Sequence, residues 1–239
     1  MTVHSYENGY RALGRQLLPL PIEWMPDGWF RVPPGTRTDA PLPMPIPGTH
    51  QQPALDPSDN FISSELGLQW AFWQEFDPAR FTTGNGALIL QARGDSLANT
   101  SVLTTPVGGH AYTVEVDVEA APGCATGLLL FYSPEHSTGI QLDDEGIGVR
   151  LANGYVPSRV HKGATRATLR VVNDDQEVDF YYRVPGEPWR RAEESAEIAG
   201  MNHNVLGGFL DVRPAVFATG TGQATLRGFR YWPTVNVPS

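Results

Sequence analysis

Short apolar or alternating segments, turn residues between them and the lack of any long helical period place these 239 residues in the all-β class, as a sandwich or a barrel. Three observations carry that assignment. Residues 112–118 read Tyr-Thr-Val-Glu-Val-Asp-Val, a period of two that predicts a strand with Val114, Val116 and Val118 on one face and Glu115 and Asp117 on the other, in water. Residues 127–132 are continuously apolar, which predicts a central strand covered on both faces. Residues 167–172 and 177–184 flank Asn173-Asp174-Asp175, a hairpin turn.

The remaining strands follow from the same rules. They are expected at 87–92, 137–142, 146–151, 215–219 and 224–231, with Asp143-Asp144-Glu145 as a turn. Trp70, Phe72, Trp73 and Phe76 crowd one segment. Trp70 and Phe72 share a parity and are assigned to the core, and Trp73 faces the other way.

Ahead of this block, residues 1–32 read as hairpins. A short strand at 2–6 meets Glu7-Asn8-Gly9, where Asn-Gly favours a tight turn, and 10–18 is expected to return as a strand. Met25-Pro26-Asp27-Gly28 turns the chain again before residues 29–32. Residues 33–57 hold Pro33, Pro34, Pro41, Pro43, Pro45, Pro47, Pro53 and Pro57, so they are expected to form an extended, polyproline-like linker. Residues 58–232 are then the β-sandwich.

Composition excludes several classes. A formal charge of −9 and no basic run argue against nucleic acid as a partner. No apolar stretch reaches membrane-spanning length, so no membrane partner is expected. The opening lacks a charged segment followed by an apolar run, and a cytoplasmic location is the expectation. Cys124, the one cysteine, cannot form an internal disulfide and reads as a buried or loop residue.

Catalytic signatures are missing. The sequence has no phosphate-cradling glycine loop, no His-Glu-x-x-His and no Gly-x-Ser-x-Gly, and its six histidines are scattered. The acidic pairs at 143–145 and 174–175 sit in turns, where solvated carboxylates are the rule, although Asp143 and Glu145 offer oxygens suited to calcium. Sugars stack on exposed aromatic faces. Tyr132, Tyr155, Tyr182 and Trp189 flank turns and are the candidates for that role.

His-Ser-Tyr-Glu-Asn-Gly-Tyr-Arg-Ala-Leu-Gly-Arg-Gln at 4–16, then Pro-Ile-Glu-Trp-Met-Pro-Asp-Gly-Trp at 21–29, resembles the end of the catalytic propeller of glycoside hydrolase family 43. Asp59-Asn60-Phe61, Leu68-Gln69-Trp70, the run from Ala125 to Tyr132 and Gly228-Phe229-Arg230-Tyr231 look like the concanavalin A-like (jelly-roll) β-sandwich that follows the five-bladed propeller in the β-xylosidase and α-L-arabinofuranosidase branch. The resemblance implies a xylo- or arabino-oligosaccharide as the carbohydrate partner. The family's three catalytic acids lie in earlier blades, so no catalytic residue carries over. Arg15 matches the arginine that lines the sugar pocket, and His4 resembles a histidine near the propeller axis. Sandwiches of this type often hold a structural calcium between an aspartate at the domain's start, here Asp59, and another in the last strand, which in this sequence has no acid beside Phe229.

These readings lead to a non-catalytic sandwich part or subunit that completes or supports a propeller active site, inactive alone, with a propeller partner or self-association through the hairpins. The alternative is a free-standing carbohydrate-binding module. The two differ in what they should expose: an apolar patch on residues 3–32 for the first, a groove with Trp or Tyr faces on the sandwich for the second.

Overall fold

The computed structural model describes residues 1–40, 56–74, 76–100, 102–151 and 157–233. Most of the proline-rich stretch therefore lies outside the described residues. Four short strands come first: β1 (Thr2–Ser5), β2 (Gln16–Pro19), β3 (Glu23–Trp24) and β4 (Phe30–Arg31). Then follow β5 (Ala71–Phe72), β6 (Phe81–Gly84), β7 (Ala87–Gln91), β8 (Leu103–Thr104), β9 (Tyr112–Ala120) and β10 (Cys124–Phe131). After these run β11 (Ser137–Asp143), β12 (Gly146–Arg150), β13 (Ser158–Lys162), β14 (Arg166–Asp174), β15 (Glu177–Arg183) and β16 (Arg190–Glu197). A one-turn helix, α1 (His203–Leu206), leads to β17 (Arg213–Gly220) and β18 (Gln223–Pro233).

Strands β5 to β18 build two antiparallel sheets of seven, in the orders β13-β12-β11-β10-β17-β8-β5 and β16-β15-β14-β9-β18-β7-β6. Their inner faces share one core. Val114, Val116 and Val118 of β9 meet Leu128 and Leu130 of β10, Ile140 and Leu142 of β11, and Leu169 and Val171 of β14, all buried. Each such side chain contributes roughly 1.5–3 kcal/mol of burial. The unbroken apolar run in β10 has the expected cause. Leu129 and Phe131 face away from that core, into a second cluster with Leu97, Val102, Ala215 and Phe217, on which Trp73 packs. Trp70 is buried in the main core and Phe72 packs against it.

The outer face of β9 departs from the expectation of open water. Glu115 is only 5% exposed. Its Oε2 accepts from Arg170 Nε and Nη2 at 2.9 and 2.7 Å, and its Oε1 from Arg230 Nε and Nη2 at 3.1 and 2.7 Å. Arg170 stands directly opposite on β14. Arg230 reaches the same carboxylate because β18 bulges between Arg227 and Arg230. Gly228 sits in that bulge at φ 55°, and a side chain there would strike the Arg230 guanidinium. Burial pulls the Arg230 pKa down, but the bond to Glu115 and the charges of Glu115 and Asp117 lift it above the usual arginine value. The alternation is as read; the charged face is covered by cross-strand ion pairs.

The N-terminal hairpin also differs from its reading. β1 pairs with β2, and Glu7-Asn8-Gly9 makes the expected tight turn, with Asn8 and Gly9 at positive φ and Tyr10 N–H donating to the Glu7 carbonyl at 2.8 Å, but residues 10–15 form a loop where a strand was expected. The cause is a docking site. Tyr10 and Ala12 drop into the sandwich core. The Tyr10 ring stacks on His110 with centroids 4.0 Å apart, and its hydroxyl donates to the Asp175 carbonyl. Val212 N–H donates to the Ala12 carbonyl at 2.8 Å. Burying Tyr10 outweighs extending the hairpin. The second hairpin, β3–β4, turns at Met25-Pro26-Asp27-Gly28 as expected, with Gly28 at φ 84°.

Two outcomes follow. Glu115→Ala leaves two guanidiniums without their shared carboxylate, and the urea midpoint should fall by the equivalent of about 1–3 kcal/mol, the lower end reflecting the partial exposure of both arginines; an unchanged midpoint would show that the ion pairs contribute nothing. Cys124 opens β10 fully buried, and burial, with Asp144 adding, pushes its thiol up to about 11. The folded chain thus keeps a neutral thiol at pH 9, whereas an unfolded one, titrating near about 8.5, is largely thiolate. Alkylation at pH 9 should require denaturant, and rapid labelling of the native chain would contradict the burial.

Candidate functional site

Several large apolar side chains of the N-terminal unit face outward. Leu17, Trp24, Trp29 and Phe30 are 66%, 71%, 73% and 44% exposed. Trp24 and Phe30 are cross-strand partners, their rings edge to face at 5.8 Å. Arg31 and Glu23, the next pair, are bridged at 3.1 Å. The hairpin is thus a small built platform whose aromatic side chains are left in solvent.

Arg15 lies at the end of the docked loop, just before β2. Its guanidinium is over the rings of Phe209 and Tyr6, at 5.2 and 5.8 Å. Among the described residues it makes no ion pair. A guanidinium held on ring faces is oriented while its N–H fork stays open to hydroxyls or a carboxylate. Phe209 belongs to the sandwich, 73% exposed, on the loop after α1. That loop is built to present it. Phe209 has φ 55°, an uncommon conformation for a bulky residue, and follows Gly207 and Gly208, both at positive φ. The His203 ring stacks on Phe209 at 3.8 Å, and His203 Nδ1 accepts its main-chain N–H at 3.0 Å. Asn202 caps α1 through Asn204 N–H, and Tyr6 O–H donates to Asn204 Oδ1 at 3.0 Å. Two elements distant in sequence, residues 6–15 and 202–212, therefore make one cluster around Arg15.

Other residues singled out from sequence fall elsewhere. His4 is exposed on β1 opposite Leu17 and takes no part in the Arg15 cluster. Tyr132 and Tyr182 are buried, so the expectation of exposed stacking faces fails for them. Both rings fill core positions. The Tyr132 hydroxyl donates to the Gly207 carbonyl, and that of Tyr182 to the Val160 carbonyl at 3.0 Å. Tyr132 thereby braces the loop that carries Phe209. Trp189 is half-buried, with the guanidiniums of Arg170 and Arg183 over its ring at 3.8 and 4.8 Å, where a sugar would have to stack. Tyr155 lies outside the described residues.

Asp59 is placed as expected, at the start of the sandwich and bridged to Phe229 of the last strand. Its carboxylate does not fit a calcium site. Oδ1 accepts from Phe61 N–H at 2.7 Å, and Oδ2 accepts from Trp70 Nε1 at 2.9 Å and Gln69 Nε2 at 3.3 Å. Calcium needs roughly six to eight oxygens, and these neighbours present N–H donors. At the 143–145 turn the cation position belongs to Arg159, 2.8 Å from Asp143 and 3.0 Å from Glu145. The described residues contain no cluster of three metal-ligating side chains.

Sequence reasoning found Arg15 but missed Phe209, His203 and Tyr6. Gly207-Gly208 before an aromatic was the available signal, since paired glycines mark a loop able to hold the next residue in an unusual conformation.

Comparison with known proteins bears on this geometry. No curated protein sequence matches the chain. Among solved structures, a family 43 protein of the Bacteroides ovatus xyloglucan utilisation locus superposes with TM-score 0.79 at 18% identity, covering 95% of this chain and 49% of that one. The xylan β-1,4-xylosidase of Bacillus halodurans gives 0.72 at 19% identity, with 95% and 49% covered. BlXynB of Bacillus licheniformis gives 0.71 at 22%, with 92% and 47% covered. The chain spans about half the length of these structures, and at such identities the likeness shows the fold, a concanavalin A-like sandwich with its N-terminal unit. Residues 58–231 match the model of the β-xylosidase C-terminal concanavalin A-like domain. The chain belongs to that family, the sandwich half of the family 43 glycoside hydrolases.

Proposed function

We propose that this chain is the non-catalytic sandwich part of a family 43 glycoside hydrolase acting on xylan- or arabinan-type oligosaccharides, and that its N-terminal unit docks on a β-propeller and sets Arg15 at the edge of the propeller's sugar pocket. The carrying observation is the exposure of Leu17, Trp24, Trp29 and Phe30 on the N-terminal unit, together with Arg15, which makes no ion pair among the described residues. Covering each of those side chains is worth roughly 1.5–3 kcal/mol. Arg15, oriented on Tyr6 and Phe209, would offer a forked donor to sugar hydroxyls. Its role is binding and positioning; the acid and base of glycoside cleavage would come from the propeller. A carbohydrate-binding module finds less support, because the stacking candidates described on the sandwich are buried or covered by arginines.

The test mixes the purified chain with the propeller half of a family 43 β-xylosidase. The chain alone should not turn over nitrophenyl xylosides or arabinofuranosides above a mock preparation, and activity is expected only in the mixture. Arg15→Ala should lower kcat/KM about tenfold or more, the worth of a charged hydrogen bond, with assembly intact. Failure of the halves to associate at micromolar concentration would refute docking, and full activity with Arg15→Ala would remove Arg15 from the pocket.

A further inference from the structure

His110 sits where the docked N-terminal loop meets the sandwich, and its surroundings suit only one of its protonation states. It precedes β9, and its carbonyl accepts from Nδ2 of Asn173, a fully buried residue of β14, which fixes its main chain. Its ring lies on that of Tyr10. The two ring nitrogens face two carboxylates on different elements. Nε2 is 3.6 Å from Glu7 Oε2 in the Glu7-Asn8-Gly9 turn, and Nδ1 is 3.7 Å from Asp175 Oδ1 in the turn between β14 and β15. Both separations are longer than a hydrogen bond. Nε2 is buried and has no hydrogen-bond partner among the described residues. Neither carboxylate is paired with a lysine or arginine among the described residues. An ionised carboxylate only accepts, and a neutral imidazole has one N–H and one lone pair. One nitrogen of a neutral His110 therefore turns its lone pair toward a carboxylate. An imidazolium donates from both.

We propose that His110 is a proton-operated latch: its imidazolium bridges Glu7 and Asp175 and fastens the N-terminal loop on the sandwich, and loss of the proton loosens that loop. Docking brings Glu7 to the ring and so takes up a proton. It is favoured toward low pH and weakens as pH rises through the range of about 5–8 in which histidine ordinarily changes charge. The other groups against the ring do not produce this effect. Burial raises the Tyr10 hydroxyl and lifts that of Tyr112, two residues along, well above its usual value, so both stay neutral across the window. Asn173 carries no charge. Glu7 and Asp175 are 58% and 71% exposed, so water and salt screen the latch and its effect is moderate. The same loop carries Arg15, whose placement the latch therefore governs. It acts within this chain and does not depend on a propeller partner.

One hydrogen bond across the junction reports on the latch. Val212 N–H donates to the Ala12 carbonyl, so exchange of that amide with solvent requires the loop to lift. Its protection factor, which removes the intrinsic pH dependence of exchange, is measured in the full 239-residue chain. It should be about threefold higher or more at about pH 5.5 than at about pH 8. Protection of Val116, fully buried in the core, should be the same at both. His110→Gln should bring the Val212 ratio to one. That variant also loses the ring stacked on Tyr10, which lowers protection at both pH values, so the ratio and not the level is read. Glu7→Gln keeps the ring and its stack, and Asp175→Asn suits the positive φ of that turn residue; each should shrink the ratio. Equal protection of Val212 at the two pH values, a ratio that survives His110→Gln, or one that Val116 shows equally would overturn the latch.

Discussion

β9 is used on both faces at once, and the rest of the molecule is arranged around that double demand. Its valines face the core, so its register against β14 and β18 cannot slip by one residue without carrying three apolar side chains to the outside. The same register places Glu115 opposite Arg170. On the other side the spacing does not work unaided, and the bulge at Gly228 brings Arg230 to the same carboxylate. One buried anion thus fastens three neighbouring strands on the face where the core cannot. Ion pairs of this kind add less net stability than apolar packing of equal size, and their value here is in selecting one register among several.

That rigidity reaches the candidate site through few contacts. Tyr10 enters the core beside Tyr112 and Val114, its ring lies on His110, and its hydroxyl reaches the turn between β14 and β15. Burial holds the Tyr10 pKa above its usual value, partly opposed by Asn173, so the group remains a donor through the neutral range. From this anchor five residues lead to Arg15. On the opposite side Tyr132, itself a core residue of the sandwich, grips the Gly207 carbonyl. The Arg15–Phe209 contact is therefore set by two core tyrosines, which explains how a loop at unfavourable φ is kept in place.

The fold was legible where period and burial agree. Residues 112–118, 127–132 and 137–142 are interior strands, and their side-chain patterns repeat the pleat directly. β16 was missed because it is an edge strand. Arg190–Glu197 shows water nearly everything it has, only Ala192 and no other residue in it being buried, so no apolar alternation exists to read. β13 at the opposite edge, in the other sheet, fails for the same reason. The first part of the strand predicted at 10–18 is a loop, and only its end survives in β2, because local pattern carries no information about a distant hole that fits a tyrosine. At the site, Arg15 was visible only through family likeness. Tyr132 and Tyr182 were misplaced because adjacency to a turn does not decide which side of the sheet a residue takes; parity within the strand does. Phe209 needed the fold itself, since nothing in the sequence places residue 209 beside residue 15.

Charge distribution bears on what covers the N-terminal face. Residues 1–32 contain Arg11, Arg15 and Arg31 against Glu7, Glu23 and Asp27, three of each sign, so the whole net charge of −9 resides on the remainder of the chain. The N-terminal unit is electrically neutral and exposes several large apolar side chains, while the remainder of the chain is acidic. Two copies meeting face to face would bring two acidic bodies together, at a repulsive cost that low salt enlarges. A propeller surface of ordinary charge meets no such opposition. Of the three arginines in residues 1–32, Arg31 is paired with Glu23, while Arg11 and Arg15 make no ion pair among the described residues. Under the proposed docking, Arg15, held open on two aromatic rings, would suit a pocket that is polar and acidic, as one that cleaves glycosides with carboxylates must be.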